Sequence, residues 1–161
     1  MELPKRKRNR LKDYDYSSPN AYFITVCTDQ RKHLLWEETG MIVDCPQSVP
    51  LSNMGKIVQK SIECIPDIYP QISLDHYVIM PNHVHLLLQI DADDDGRSMI
   101  APTISNVVRH MKGCVSKQVG MSIWQKGFYD HVIRNEADYQ STWIYIEGNP
   151  GKWNEDELYS L

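Results

Sequence analysis

The chain has 161 residues, enough for one domain with a buried core and too few for two domains of ordinary size. Its 42% hydrophobic and 24% charged residues are typical of a globular protein and exclude a disordered or fibrous chain. No apolar run approaches the roughly 18 residues that a membrane span requires, so we expect no membrane partner.

The four cysteines indicate the compartment. None of them has the CxxC spacing of a metal or redox motif, and three lie in apolar segments (Cys27, Cys45, Cys64 and Cys114 are the full set). The basic N-terminus is not followed by the apolar stretch of a secretion signal. This usage favours reduced thiols and a cytoplasmic location.

The net charge is −4, but the charge is unevenly distributed. Residues 1–12 contain six basic side chains and a single acidic one, Glu2. We therefore predict a basic N-terminal arm at 1–12, followed by one domain at 13–161. Such an arm can contact the phosphate backbone of a nucleic acid, here through Arg8 and Arg10, and a solvated tail fits the composition equally well.

Hydrophobic periodicity predicts the elements in chain order. Strands are expected at 21–28, 33–36, 72–80, 83–90 and 124–134, with a further small strand at 41–43. Helices are expected at 52–65, 102–118 and 136–148. Ser52 is the predicted N-cap of the first helix, Pro66 follows its end, and Gly120 follows the second helix.

The order of the main elements indicates the fold. Strand, helix, strand, strand, helix, strand is the βαββαβ pattern of ferredoxin-like α+β proteins. It predicts a four-stranded antiparallel sheet with two helices on one face and strand 83–90 in a central position. The added C-terminal helix, which carries Tyr145, is expected to cover the opposite face.

Two histidines mark that face. His83 and His85 are one residue apart on a predicted strand, so their side chains point to the same side of the sheet. Two adjacent imidazoles can supply half of a divalent-metal site. A pair of histidines on a solvated sheet face, or one held by hydrogen bonds in the core, is the alternative interpretation.

The last predicted helix offers a nucleophile. Tyr145 and Asn149 are four residues apart and share a helical face. A phenolate can attack phosphorus to give a phosphotyrosine, and an amide oxygen is an acceptable ligand for a hard cation. An ordinary tyrosine of an amphipathic helix would show the same spacing.

Four segments carry a resemblance to a known family. They are Arg10–Thr28, Tyr77–Leu87 with its Pro-Asn-His-Val-His core, Trp124–Asn135, and the box Tyr145–Pro150. In this order they resemble the single-tyrosine HUH transposases, and most of all the branch associated with repetitive extragenic palindromes (REP). The resemblance runs from about residue 8 to residue 153, nearly the whole chain.

The resemblance implies a mechanism and its residues. Members of the family use Mg²⁺ or Mn²⁺ to cut single-stranded DNA beside hairpins, leaving a 5′-phosphotyrosine and a free 3′-OH. The resemblance implies His83 and His85 as metal ligands and Tyr145 as the catalytic nucleophile. Relatives with glutamine four residues after the tyrosine use it as a third ligand. Asn149 stands there in this chain and is one methylene shorter.

Other functional predictions are less specific. Lys126, His131 and Arg134, on or beside the strand expected at 124–134, are candidate DNA contacts, although a solvated face explains them as well. Two further functions stay open: a non-catalytic nucleic-acid-binding module on the same fold, and a metal-dependent nuclease that uses water. The sequence also leaves a monomer and a homodimer open.

Overall fold

The computed structural model describes residues 20–38, 50–91 and 102–158. Its strands and helices are β1 (Asn20–Cys27), α1 (Asn53–Glu63), α2 (Ile65–Ile68), β2 (Ile72–Ile79), β3 (His83–Ile90), α3 (Ile104–Val119), β4 (Tyr129–Val132) and α4 (Glu136–Gly148). Short 3₁₀ segments occur at Asp29–Arg31 and Pro150–Glu155. The predicted basic arm with Arg8 and Arg10, and the small strand expected at 41–43, lie outside the described residues.

The four strands form one antiparallel sheet in the order β2-β3-β1-β4. This is the ferredoxin-like α+β arrangement, so the predicted fold class is confirmed. β3 lies between β2 and β1, as expected for the strand with the two histidines. Because β3 is paired on both edges, its backbone is held in place along its whole length.

One face of the sheet packs against α1 and α3. Every second residue of β3 from Val84 to Ile90 is fully buried, in a cluster with apolar side chains of both helices. Capping matches the sequence signals. The Ser52 hydroxyl accepts from the Gly55 N–H, and Gly120 ends α3 with a left-handed φ of 83°.

The first helix, α1, ends at Glu63, before Pro66 as predicted, and Pro66 lies in the first turn of the short helix α2, where proline is well accepted. Two element predictions need correction. The strand expected at 33–36 is only an isolated bridge between Trp36 and Leu51. The strand expected at 124–134 is reduced to β4, since Gly127 takes a left-handed φ of 82° and turns the chain.

The opposite face of the sheet carries α4. A second, smaller cluster joins Ile146 of α4 to Leu87 of β3, with Trp143 packed beside it. The helix α4 therefore lies on the side of the sheet to which Leu87 points, the histidine face. Among the described helices, we find none with the length and hydropathy needed to cross a membrane.

Candidate metal and tyrosine site

The two histidines lie side by side at the start of β3. Their ring centroids are 4.5 Å apart, and the side chains of His83 and His85 are buried, with 0% and 3% exposure. In the strand register, Cys27 lies opposite His83 and Thr25 lies opposite His85 on β1. Alternation along the strand thus places both rings on the α4 side of the sheet.

Hydrogen bonds fix the orientation of the rings. The Asn82 side-chain amide donates to the carbonyls of Leu158 (2.8 Å) and Arg31 (3.3 Å). Its Oδ1 atom therefore accepts from the Nδ1–H of His83, at 2.7 Å. The Nδ1 atom of His85 is bonded to the Thr25 hydroxyl at 2.8 Å. With both Nδ1 atoms bound to protein groups, the two Nε2 atoms face each other at 3.1 Å, as in a metal-binding pair.

The environment keeps both imidazoles neutral. Burial lowers the pKa of His83 to about 3, and the positive charge of Arg31 adds to this effect. Burial, together with the neighbouring His83, lowers the pKa of His85 well below its ordinary value, and the carboxylate of Asp156 opposes this shift. A neutral imidazole with a free lone pair is the form that binds a metal ion.

A carboxylate completes the cluster. Asp156 approaches His83, with Oδ2 3.7 Å from Nε2, and one ligand atom from each of His83, His85 and Asp156 lies within 4.8 Å of the others. Sequence reasoning missed Asp156, because it lies 73 positions after His83 and no spacing rule links the two. An acidic run, Glu155 to Glu157, was the only available signal.

The donor set fits a divalent cation. The Oδ2 atom of Asp156 and the Oδ1 atom of Asn149 are both buried, and neither has a hydrogen-bond partner among the described residues. A buried oxygen without a partner is costly, and a cation would satisfy it. Carboxylate and amide oxygens together with two imidazole nitrogens suit a divalent cation such as Mn²⁺. The site is thus compatible with a divalent metal.

Tyr145 borders this cluster from α4. Its ring centroid lies 5.4 Å from that of His85 and 5.9 Å from that of Phe23 on β1, both in edge-on geometry. The side chain is 47% exposed. Burial of the remaining part of the side chain raises the pKa of the phenol, and the negative charge of Asp156 raises it further. A hydrogen bond with the Asn149 side chain partly offsets this rise. In this structure the two histidines and Tyr145 come together within one chain.

A cleft opens beside the tyrosine. It has a volume of about 440 Å³, and its lining includes Ile144, Tyr145, Gly148, Asn149, Lys152 and Asp156. Trp153 of the C-terminal 3₁₀ segment packs against His83, with ring centroids 5.9 Å apart. The cleft is therefore the open approach to the tyrosine and the carboxylate.

The remaining predicted residues lie on or beside β4 (Lys126, His131 and Arg134) or outside the described residues (Arg8 and Arg10). His131 on β4 is bonded through Nε2 to the carboxylate of Asp138, at 2.9 Å, which ties β4 to the start of α4. Lys126 and Arg134 are exposed, before and after β4. Their roles in DNA binding stay predictions.

No protein-family model matches the chain. An uncharacterised protein of Haemophilus influenzae is 32% identical over 173 residues, which cover 96% of this chain and 93% of the relative. The REP-associated tyrosine transposase of Escherichia coli strain K12 is 32% identical over 79 residues. The chain is thus similar to REP-associated tyrosine transposases, in agreement with the resemblance seen in its sequence.

The likeness to this named transposase covers 49% of the chain and 44% of the Escherichia coli protein, less than half of its length. A solved structure of a REP-associated tyrosine transposase bound to a REP hairpin matches the fold more fully. It covers 92% of this chain and 76% of that one, with a TM-score of 0.64 and 23% identity. At this identity the structural likeness shows the fold alone.

Proposed function

We propose that this chain is a REP-associated tyrosine transposase, a metal-dependent endonuclease and strand transferase of single-stranded DNA. It acts beside a hairpin and forms a 5′-phosphotyrosine at Tyr145. The observation that carries the proposal is the position of the Tyr145 ring, 5.4 Å from the His85 ring and half-exposed to an open cleft.

The metal would be held by the Nε2 atoms of His83 and His85 and by the carboxylate of Asp156. The Oδ1 atom of Asn149 is buried and has no hydrogen-bond partner within the described ranges, which supports this residue as a further ligand. When bound, a divalent cation would polarise a phosphoryl oxygen and stabilise the negative charge that develops there. Thr25 and Asn82 hold the imidazoles from behind, which orients the two Nε2 lone pairs.

In the proposed cleavage step, the phenolic oxygen of Tyr145 attacks the scissile phosphorus. A bond forms between this oxygen and phosphorus as the P–O3′ bond breaks. The phenol gives up its proton, and the departing 3′ oxygen gains one, so the products are a 5′-phosphotyrosine and a free 3′-OH. Attack by a 3′-OH on the phosphotyrosine restores the phenol and a phosphodiester. Because the bond energy is conserved in the covalent link, no nucleotide cofactor is required.

The cleft is the proposed entry for the DNA strand. Lys152 supplies one positive charge there, whereas Glu155, Asp156 and Glu157 bring three carboxylates to its lining. We therefore expect DNA binding at the cleft to depend on divalent cations. Lys126, His131, Arg134, Arg8 and Arg10 are the proposed contacts to DNA outside the cleft.

The function is tested with end-labelled single-stranded hairpin oligonucleotides from the flanks of the gene, incubated with the protein and Mn²⁺. On a denaturing gel, we expect a label that migrates with the protein. Tyr145→Phe should abolish this adduct and retain DNA binding. Tyr129→Phe is the matched control, since Tyr129 is a tyrosine of similar exposure (53%) on β4.

Three outcomes would contradict the proposal in different ways. An adduct that persists in Tyr145→Phe would place the nucleophile elsewhere. Cleavage without any adduct would indicate a nuclease that uses water. Hairpin binding without cleavage, at any metal concentration, would indicate a non-catalytic binding module.

The metal site has a separate test by calorimetric titration with Mn²⁺. We expect Asp156→Asn to weaken binding by about tenfold or more, a loss of about 1.4 kcal/mol, because a neutral amide replaces the only carboxylate of the cluster. Glu155→Gln is the matched control one residue away. Equal affinities for the two variants would remove Asp156 from the ligand set.

A further inference from the structure

A β-bulge interrupts β2 beside the tyrosine helix. Leu74 lies opposite Leu88 of β3, but His76 lies opposite Leu87, so the register shifts between them and Asp75 is the inserted residue. Bulges bend a strand and redirect its side chains, and they are frequent next to active sites.

The bulge has a specific consequence for α4. In a regular strand, consecutive side chains point to opposite faces, but here Asp75 and His76 both contact this helix. The Asp75 carboxylate accepts a hydrogen bond from the Tyr139 hydroxyl at 2.8 Å. The His76 ring stacks on the ring of Trp143, with centroids 4.4 Å apart and planes inclined by 22°.

These contacts act on one face of the helix. Tyr139 and Trp143 are four residues apart, and their own ring centroids lie 6.2 Å from each other. The Tyr139 hydroxyl stays protonated, since burial and the nearby Asp75 raise its pKa to about 12. The hydrogen bond to Asp75 is thus kept across the neutral pH range.

Apolar packing alone does not define the rotation of α4 about its own axis. Its apolar residues do not form one buried stripe, because Ile144 is 67% exposed whereas Thr142 is buried. Ile146 is the apolar side chain of α4 that is fully buried. Directional contacts therefore contribute to the orientation of the helix: the bond of Asp138 to His131 at its start, and the contacts of Tyr139 and Trp143 with β2.

We propose that Asp75 and His76 are positioning residues, which fix the rotation of α4 and thereby the place of the Tyr145 hydroxyl beside the two histidines. The catalytic part of this inference rests on the proposed function. The structural part of the inference, that the bulge holds α4 in place, is independent of the proposed function.

The expected effect follows from the geometry of a helix. A side-chain tip about 5–6 Å from the helix axis moves by about 1 Å when the helix turns by about 10°. A displacement of about 1 Å at a reacting group can reduce the rate by about 10²-fold. Loosening the contacts should therefore slow adduct formation more than it weakens DNA binding.

The test compares four variants of the full chain: His76→Ala, His76→Phe, Tyr139→Phe and Ser73→Ala. His76→Ala removes the stack, and His76→Phe keeps an aromatic ring there. Tyr139→Phe removes only the hydrogen bond to Asp75. Ser73→Ala is the control, because Ser73 lies on the same strand and bonds to Asp91 rather than to α4.

Two effects are measured for each variant: the single-turnover rate of adduct formation at saturating hairpin DNA, and amide hydrogen exchange across 136–148. A binding titration with the same hairpin gives the DNA affinity of each variant. For His76→Ala we expect a rate about 10²-fold lower with DNA affinity changed by less than about threefold, and faster exchange in α4. His76→Phe should restore most of the rate. Tyr139→Phe should have a smaller effect of the same kind, and Ser73→Ala none.

The outcomes separate this inference from the proposed function. If the unmodified protein forms no adduct, the proposed function fails, and hydrogen exchange alone decides whether the bulge holds α4. If adducts form but His76→Ala matches Ser73→Ala in both measurements, the inference is overturned. Equal losses in His76→Ala and His76→Phe would overturn it as well, since the stack would then not be the cause. An equal loss of rate and of DNA affinity in His76→Ala would also overturn the inference.

Discussion

The two faces of β3 are built on different principles. Val84, Leu86 and Leu88 point to α1 and α3 and are completely buried among apolar side chains. His83 and His85, the residues between and before them, point to α4 and are just as buried, but among polar groups. One strand therefore serves a hydrophobic core on one side and a chemical site on the other.

The difference shows which face of the strand lowers the stability of the fold. On the α4 side, Asn149 and Asp156 each bury an oxygen for which the described part of the chain offers no hydrogen-bond partner. A buried unsatisfied polar group costs about 1–3 kcal/mol, so the protein without metal holds this face at a disadvantage. Burial of apolar side chains on the other face, at about 25 cal/mol per Å², offsets such costs. This division predicts that substitutions on the two faces have separable effects.

The largest effect is expected for His85→Ala. It should reduce adduct formation by about 10³-fold or more, because the proposed metal site would lose a ligand and with it the stabilisation of phosphoryl charge. Thermal unfolding provides the check: Mn²⁺ should raise the melting temperature of the unmodified protein and not that of the variant. A variant that still cleaves DNA and still responds to Mn²⁺ would place the metal elsewhere.

Leu86→Ala, one residue further along β3, should have the opposite profile. A fully buried leucine truncated to alanine costs about 2–5 kcal/mol, through lost burial and a remaining cavity. Urea unfolding measures this loss, and the rate of adduct formation per folded molecule should be unchanged. Leu86→Met, which conserves volume, should cost less than about 1.5 kcal/mol. A catalytic defect in a folded Leu86→Ala protein would show that the two faces are coupled.

A pair of glycines tests the packing of the helices on the core face. A Cβ at Gly55 would lie 2.1 Å from the Leu35 carbonyl oxygen, so Gly55→Ala should destabilise the fold by about 1–3 kcal/mol. Gly113 in α3 is exposed, and a Cβ there meets nothing within 4 Å. Gly113→Ala should therefore stabilise by about 0.5–1 kcal/mol, through helix propensity alone. If the two variants shifted the denaturant midpoint in the same direction, these expected packing environments of Gly55 and Gly113 would be wrong.

The smallest effect concerns the start of α4. The Asp138 carboxylate accepts from the Arg134 N–H at 3.0 Å, which is the main reason why its pKa lies below the ordinary 3.8, and the bond to His131 adds to it. Asp138→Asn should cost about 0.3–1 kcal/mol or less, since the group is partly exposed. A lowered carboxyl pKa stabilises the fold above pH 3.8 and loses this effect as the pH falls through the folded-state value. The two stability curves should thus converge in acid; a constant difference would contradict the carboxylate's role.

The sequence by itself determined the order of the elements and the division of β3 into two faces. Strand alternation places His83 and His85 together whatever the rest of the chain does, because side chains two residues apart lie on one side of a strand. Helical spacing and the caps at Ser52 and Gly120 likewise located α1 and α3, since these signals are local. The resemblance of the segments around these histidines and Tyr145 indicated the family.

Tertiary structure alone decided which distant groups meet. Asp156 joins the two histidines because the chain after α4 turns back over them, and no periodicity in the sequence records that path. The bulge at Asp75 is of the same kind: it depends on the pairing of β2 with β3 and on the helix packed against them. Local patterns fix the elements, whereas long-range pairing and packing fix the contacts between them, and the candidate site is made of such contacts.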